Sequence, residues 1–314
     1  MSISSTELSL LLPVFNEEDV LEPFISKVSA ILTDRDITFE LIFINDGSTD
    51  NTLQILKEQL ELNKSIKIIN LSRNFGKEQA LSAGLDFASG QAAIPIDCDF
   101  QDPPELIIDM YEKWKEGFDV VLAKRIDRSS DTSMKRWSSS LFYSIIEKIS
   151  DVVIPKNVGD FRLIDRKVID VLKNYPERTR FMKGIFASVG FRQTTVEYIR
   201  PERAAGNTSW NYFSLYKLAL EGIVSFTSLP LKVWSYLGSL ISIFSFMYGF
   251  YLIIKTIIFG VDMPGYASLM VVILFMSGLV LLSLGVIGEY LSRIFIEIKQ
   301  RPIYIVMDKF GFDE

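Results

Sequence analysis

Two long uncharged runs late in the chain constrain its fold more than any other feature. Residues 233–254 and 263–288 hold 22 and 26 consecutive residues without Asp, Glu, Lys or Arg. Roughly 20 apolar residues cross the hydrocarbon core of a bilayer, so each run is long enough to span one. The competing reading is a buried core helix, but two such runs in tandem are rare in soluble proteins. The first 230 residues carry ordinary charge density, so the excess in the 48% apolar content lies after Leu231. The expected organisation is a large N-terminal domain (1–209) and an amphipathic juxtamembrane helix (210–231). Two transmembrane helices (232–292) with a short linker (259–265) and a C-terminal tail (293–314) complete it.

Flanking charge sets the expected orientation. Lys217 and Lys232 precede the first run, and Arg293, Lys299 and Arg301 follow the second. The linker holds Asp262 and no Lys or Arg, while Lys255 can snorkel from the end of its helix. The positive-inside rule then puts the large domain and both termini in the cytoplasm, against a bacterial inner membrane. Residues 1–9 are polar and have no basic, apolar leader pattern. A single cysteine, Cys98, excludes an intrachain disulfide and fits a reducing compartment. The net charge of −6 argues against nucleic acid as the main partner.

Residues 8–123 alternate short apolar runs with amphipathic segments. Strands are expected at 8–14, 39–45, 66–70, 92–97 and 120–123, with helices at 18–33, 51–62, 76–88 and 105–116. Further helices are expected at 134–149, 166–174 and 210–225, and a strand at 191–198. Continuous apolar strands separated by helices predict an α/β domain with a mostly parallel sheet covered on both faces. Ligands of such sheets bind beyond the carboxyl ends of the strands. Asn16 and Glu17 follow the first strand, Asp46-Gly47-Ser48 the second, Arg73 and Asn74 the third, and Asp97-Cys98-Asp99 the fourth. All four polar clusters therefore fall on one edge.

Asp97, Asp99 and the amide of Gln101 offer hard oxygen ligands on one side of a turn. Such a set suits Mg²⁺ or Mn²⁺ held by one or two carboxylates plus substrate phosphates. Taken alone, Asp-x-Asp is more often a capping turn, here before Pro103 and Pro104. Its position at the end of the fourth strand favours the metal. The absence of histidine removes the commonest acid/base group and leaves oxygen as the main metal ligand. Asp46 suits a base or ribose, and Gly47 permits a tight turn. Ser48 or Asp50 suits a helix cap.

Four ordered motifs together resemble the polyprenyl-phosphate glycosyltransferases of family two. They are Pro13-Val14-Phe15-Asn16-Glu17, Asn45-Asp46-Gly47-Ser48, Ser72-Arg73-Asn74-Phe75-Gly76-Lys77 and Asp97-Cys98-Asp99-Phe100-Gln101-Asp102-Pro103-Pro104. Dolichol-phosphate mannose synthases and bactoprenol glucosyltransferases belong there, and two C-terminal spans resemble the latter branch. The resemblance implies a GT-A, Rossmann-like fold with Pro13, Phe15, Glu17, Asp46 and Asp97 at the nucleotide. It puts Asp97, Asp99 and Gln101 at the metal and diphosphate. Arg125 matches a basic residue near the phosphate acceptor, and Asp160 and Arg162 lie in the acceptor-side motif. Arg203 opens a flexible loop that closes over the diphosphate, where Ser209 replaces the Lys or Asn of many relatives.

The reaction so implied is inverting transfer of a hexose, glucose from UDP-glucose by family similarity, onto undecaprenyl phosphate. A lipid phosphate is already anionic near neutral pH. The missing histidine is therefore no obstacle, and cations are what the reaction needs: the metal with Arg125, Arg162 and Arg203. Asp160 then orients these groups, or serves as the base if the acceptor is an alcohol. Lys135, Arg136 and Trp137 open a helix suited to an anionic leaflet or to ordinary packing. A processive polysaccharide synthase would carry Gln-x-x-Arg-Trp after the acceptor site, whereas Ser133 precedes Arg136 and Trp137 here. A non-catalytic nucleotide-sugar-binding subunit is the third reading, opposed by the intact acidic set. Gly238, Gly249, Gly278 and Gly285 allow the close helix packing of a homo-oligomer.

Overall fold

The computed structural model describes residues 6–126, 158–175, 177–178, 182–199, 229–259 and 265–312. The expected helices at 134–149 and 210–225, and the loop carrying Arg203 and Ser209, lie outside the described residues.

The alternating pattern of the first half folds as its periodicity requires. Strands β1 (Leu8–Val14), β2 (Phe39–Asn45), β3 (Ile66–Leu71) and β4 (Ala92–Pro95) are joined by helices α1 (Leu21–Thr33), α2 (Thr52–Leu62) and α3 (Lys77–Phe87). Helix α4 (Leu106–Lys115) leads to β5 (Val120–Arg125). Then follow β6 (Val158–Asp165), α5 (Arg166–Lys173), α6 (Met182–Ser188) and β7 (Gln193–Tyr198). Helices α7 (Leu229–Phe259) and α8 (Tyr266–Lys299) precede β8 (Val306–Phe310). The sheet order is β7-β5-β6-β4-β1-β2-β3-β8. β1 pairs in parallel with β2 and β4, β2 with β3, and β5 with β7; β6 and β8 run antiparallel to their neighbours.

Because successive strand residues face opposite sides, the sheet supports two cores. Leu10, Leu12, Leu41 and Phe43 pack under Phe24 and Val28 of α1, Leu56 of α2 and Ile107 of α4. Leu11, Ile42, Ile44 and Ile69 pack on the other face, against Leu81 of α3, Ile169 of α5 and Ile185 of α6. α1 buries Leu21, Phe24, Ile25, Val28 and Leu32, the single stripe that a 3.6-residue repeat produces. Asp165 caps α5 by accepting from the Lys167 N–H at 3.0 Å, and its other oxygen accepts from Trp114 Nε1 at 2.7 Å.

Three elements depart from the sequence reading. β6 and α6 were not expected, and the residues read as a tail supply β8, an edge strand on β3. The segment around β8 is also fastened elsewhere. Arg178 donates its backbone N–H to Glu297 Oε1 at 2.8 Å and its Nη1 to the Arg301 carbonyl at 2.6 Å. Tyr304 donates its hydroxyl to Asp86 Oδ2 at 2.7 Å. The end of α8 is thus tied directly to the α/β domain.

The sequence leads to two expected spans. Among the described residues one stretch, Val271–Lys299 of α8, is long and apolar enough to cross a membrane; Tyr236–Tyr251 of α7 is apolar but shorter. Large apolar side chains on both helices are exposed, including Phe246, Phe250 and Ile257 on α7 and Val271, Leu281 and Phe295 on α8. An apolar surface of this extent marks a face that meets lipid or protein.

Candidate active site

The carboxyl ends of β1 to β4 carry the polar loops, and two of those loops hold unusual backbone. Asn16 has φ 54° and Phe100 has φ 57°, left-handed values that side chains other than glycine adopt at a cost. Phe100 is anchored against Phe24, ring centroids 5.3 Å apart, which holds the turn from Asp97 to Gln101 in place. Asn16 is clasped by the next loop: its N–H donates to Ser48 Oγ at 3.0 Å, and its Oδ1 accepts from the Thr49 N–H at 2.8 Å. The Glu17 N–H donates to Thr52 Oγ1 at 2.9 Å. Phe15 is 45% exposed beside these loops, an apolar face open to a flat ring.

Asp46 sits differently from its expected role at a base or ribose. It is 4% exposed, and its two carboxylate oxygens accept from the backbone N–H groups of Phe75 (2.7 Å) and Gly76 (2.8 Å). Its side chain therefore braces the turn after β3. Burial raises its pKa above the ordinary value, against those two N–H groups and Arg73, which lower it. Gly47 follows at φ 71°, where a Cβ would lie 2.5 Å from the Arg73 carbonyl carbon and 2.6 Å from the Asn74 nitrogen. Gly47→Ala must therefore push this turn outward, at a cost on the order of 2 kcal/mol. Thermal melting of the purified variant should show that loss, and an unchanged midpoint would refute the close approach.

Asp97 and Asp99 stand just beyond β4, whose ladder continues through the Ile96 N–H to the Leu11 carbonyl at 3.0 Å. Lys77, the first residue of α3, reaches across to Asp97 and to Asp160 of β6: its Nζ lies 2.7 Å from Asp97 Oδ2 and 3.4 Å from Asp160 Oδ2. Burial works against its charge, yet Asp97 and Asp160 together hold its pKa above the usual lysine range. The sequence reading gave Lys77 no role of its own. The signal was present, since a lysine closes the cluster that contains Arg73 and Asn74. Between the two carboxylates, Cys98 is buried, and burial followed by the neighbouring acids pushes its thiol well above its ordinary value. An inert thiol is what that environment makes.

Asp99 Oδ1 accepts from the Gln101 backbone N–H at 3.1 Å. Gln101, expected as a third metal ligand, is 3% exposed. No group of three or more His, Cys, Asp or Glu side chains able to hold a metal occurs among the described residues. Two carboxylates at a strand end nevertheless fit a hard cation whose remaining ligands are substrate phosphates and water.

The acceptor-side residues converge on the same edge. Asp160, in β6, meets Lys77 as described. Arg162, expected to face the reacting phosphates, is instead 4% exposed; its Nη2 donates to the Gly159 carbonyl at 2.6 Å and its guanidinium lies 4.4 Å from the Phe186 ring centroid. Burial pulls its pKa down to about 10, opposed by the fields of Asp160 and Glu78. Such a cation supports the strand that carries Asp160. Arg125, at the end of β5, donates its Nε to the Tyr198 hydroxyl at 3.1 Å, and that hydroxyl donates to Asp102 Oδ1 at 2.6 Å. Burial, then Asp102, pushes Tyr198 up to about 12, so the hydroxyl keeps its proton. Pro13 and Glu17 are half-buried near the β1 end, and Arg203 lies outside the described residues.

A mostly parallel sheet flanked by helices, with acidic side chains gathered beyond its carboxyl edge, defines a GT-A-like glycosyltransferase. The chain belongs to glycosyl transferase family 2, whose profile matches residues 9–172, and the GtrB C-terminal hairpin profile matches residues 229–294. Within that family it stands in the bactoprenol glucosyltransferase branch. It is 48% identical over 300 residues to the SfII prophage-derived bactoprenol glucosyl transferase of Shigella flexneri, covering 96% of this chain and 97% of that one. It is 47% identical over 300 residues to the prophage bactoprenol glucosyl transferase homolog of Escherichia coli K12, covering 96% and 98%. A glycosyltransferase of Synechocystis described as uncharacterized is 55% identical over 307 residues, covering 98% and 96%.

Proposed function

We propose that this enzyme moves glucose from UDP-glucose to the phosphate of a polyprenyl phosphate, undecaprenyl phosphate, at the cytoplasmic face of a bacterial inner membrane. The observation that carries the reading is the gathering of Asp97, Lys77 and Asp160 at one sheet edge, with Asp99 on the same turn as Asp97. That edge belongs to a domain fastened to the end of a long apolar helix. The likeness to the bactoprenol glucosyl transferase of Shigella flexneri and its Escherichia coli homolog supports the choice of lipid and sugar.

In this reading α7 and α8 both cross the bilayer, and their exposed apolar side chains meet acyl chains. Phe15 and the loops bearing Pro13 and Glu17 hold the uracil and ribose, with Asp46 acting indirectly by fixing the turn after β3. Asp97 and Asp99 would hold Mg²⁺ or Mn²⁺, which when bound would offset the charge that builds on the departing diphosphate. Lys77 adds a second positive charge on the same side. Asp160, held by Lys77, orients the acceptor, and Arg125 with Arg203 draws the lipid phosphate toward the anomeric carbon. The acceptor oxygen is anionic before reaction, so alignment replaces proton abstraction. Attack forms the new C1–O bond opposite the breaking C1–O bond to UDP, which leaves with the electron pair and inverts the centre.

The test is a donor panel with the purified full chain, undecaprenyl phosphate and Mn²⁺. Labelled UDP-glucose, UDP-galactose and GDP-mannose are compared for organic-phase product. Glucose should enter the lipid fraction at a rate at least tenfold above either alternative. Equal use of GDP-mannose would refute the donor assignment. Donor binding without any lipid product would favour a non-catalytic subunit.

A further inference from the structure

Asn45, Asn70 and Asp308 form one transverse row across β2, β3 and β8. Asn45 pairs in register with Asn70, and Asn70 with Asp308. Asn45 is 1% and Asn70 6% exposed, so neither amide can turn to bulk water. A buried amide is costly unless its donor and acceptor ends both find partners. Here they do, in one direction. Asn70 Nδ2 donates to Asp308 Oδ2 at 3.1 Å, Asn45 Nδ2 donates to Asn70 Oδ1 at 2.8 Å, and Asn45 Oδ1 accepts from the Ser48 N–H at 3.3 Å. Ser48 Oγ in turn accepts from the Asn16 N–H.

The direction is set at the far end. An ionised carboxylate only accepts hydrogen bonds, whereas either end of an amide can face a neutral partner. Asp308 therefore obliges Asn70 to present its NH₂ outward and its oxygen inward. That oxygen obliges Asn45 to do the same, which leaves the Asn45 oxygen facing the Ser48 amide. We infer that Asp308, on the strand that follows the α8 helix, is a positioning residue for donor binding, acting through Asn70 and Asn45 on the Ser48 loop. The inference rests on the reading above that the loop after β1, which the Ser48 loop clasps through Asn16, holds the nucleotide. It makes the donor side depend on a residue 238 positions from Asn70 in sequence.

The test is Asp308→Asn in the full chain, a change that keeps shape but removes the obligatory acceptor. UDP binding by calorimetry with Mn²⁺ should weaken about tenfold, the equivalent of about 1.4 kcal/mol. The KM for UDP-glucose should rise by a similar factor while kcat stays within twofold. Hydrogen exchange should quicken at the amides of residues 46–49 and not in β1. Lys309→Ala, one position along the same strand, should match the parent in all three. A merely structural role would lower the active fraction, so kcat would fall at unchanged KM, and that result overturns the inference. Unchanged UDP affinity in Asp308→Asn with rapid binding by the parent overturns it as well. A parent chain that does not bind UDP at all overturns the nucleotide reading and this inference together, whereas the exchange result reports on the amide row alone.

Discussion

Asp99→Ala should reduce lipid-linked glucose formation at least a hundredfold while the protein melts within about two degrees of the parent. The side chain stands on a turn beyond β4, where it accepts the Gln101 backbone N–H at 3.1 Å. Losing that bond costs the fold about 1 kcal/mol. Losing a metal ligand costs the transition state several kcal/mol of charge stabilisation, at about 1.4 kcal/mol for each tenfold in rate. Radiolabelled product and a melting curve measured on the same preparation separate the two effects. Turnover within threefold of the parent would refute the assignment, and a collapsed melting transition would show that Asp99 holds the turn together.

The second large effect lies at the opposite edge of the sheet. Glu40, 3% exposed in β2, accepts from the Ser9 hydroxyl and from the Ser89 N–H at 2.7 Å, and pairs with Lys67 Nζ at 2.7 Å. Glu40→Ala leaves the Ser9 hydroxyl, the Ser89 amide and the partly buried Lys67 ammonium without this acceptor. Breaking one side of a buried pair costs about 3–5 kcal/mol. Burial alone would raise the Glu40 pKa, but Lys67, Ser9 and Ser89 outweigh it and hold the carboxyl below its ordinary value. The folded state therefore binds this proton less readily than the unfolded chain. The contribution is complete above the unfolded value near 4.5 and is lost as pH falls through the lower folded value. Denaturant titrations at pH 7 and pH 4 should give a smaller parent-to-variant gap at the lower pH. An equal gap at both would contradict the linkage.

Legibility followed what each residue needs in order to reveal itself. β1 to β5 were readable because strands buried on both faces must be apolar throughout, and their helices show one apolar stripe each. The polar edge was readable because ligand loops of such sheets fall where the strands end. β6 escaped notice because it carries Asp160 and Arg162 among its apolar residues, and it joins the sheet only through neighbours distant in sequence. β8 is a five-residue strand with an exposed middle, whose pairing with β3 leaves no local pattern. Asp46 was read as a ligand because its type and place fit one. The amides that occupy it come from residues 75 and 76, which no spacing rule connects to it. Lys77 required the fold to bring the start of α3 beside both β4 and β6.

The most direct measurement is a structure of the full chain with Mn²⁺ and UDP, with anomalous scattering collected at the manganese edge. A manganese peak should stand within bonding distance of Asp97 or Asp99 and of a diphosphate oxygen, beyond the end of β4. A peak bound elsewhere, or the diphosphate seated away from both carboxylates, would contradict the assignment of this edge as the reacting centre.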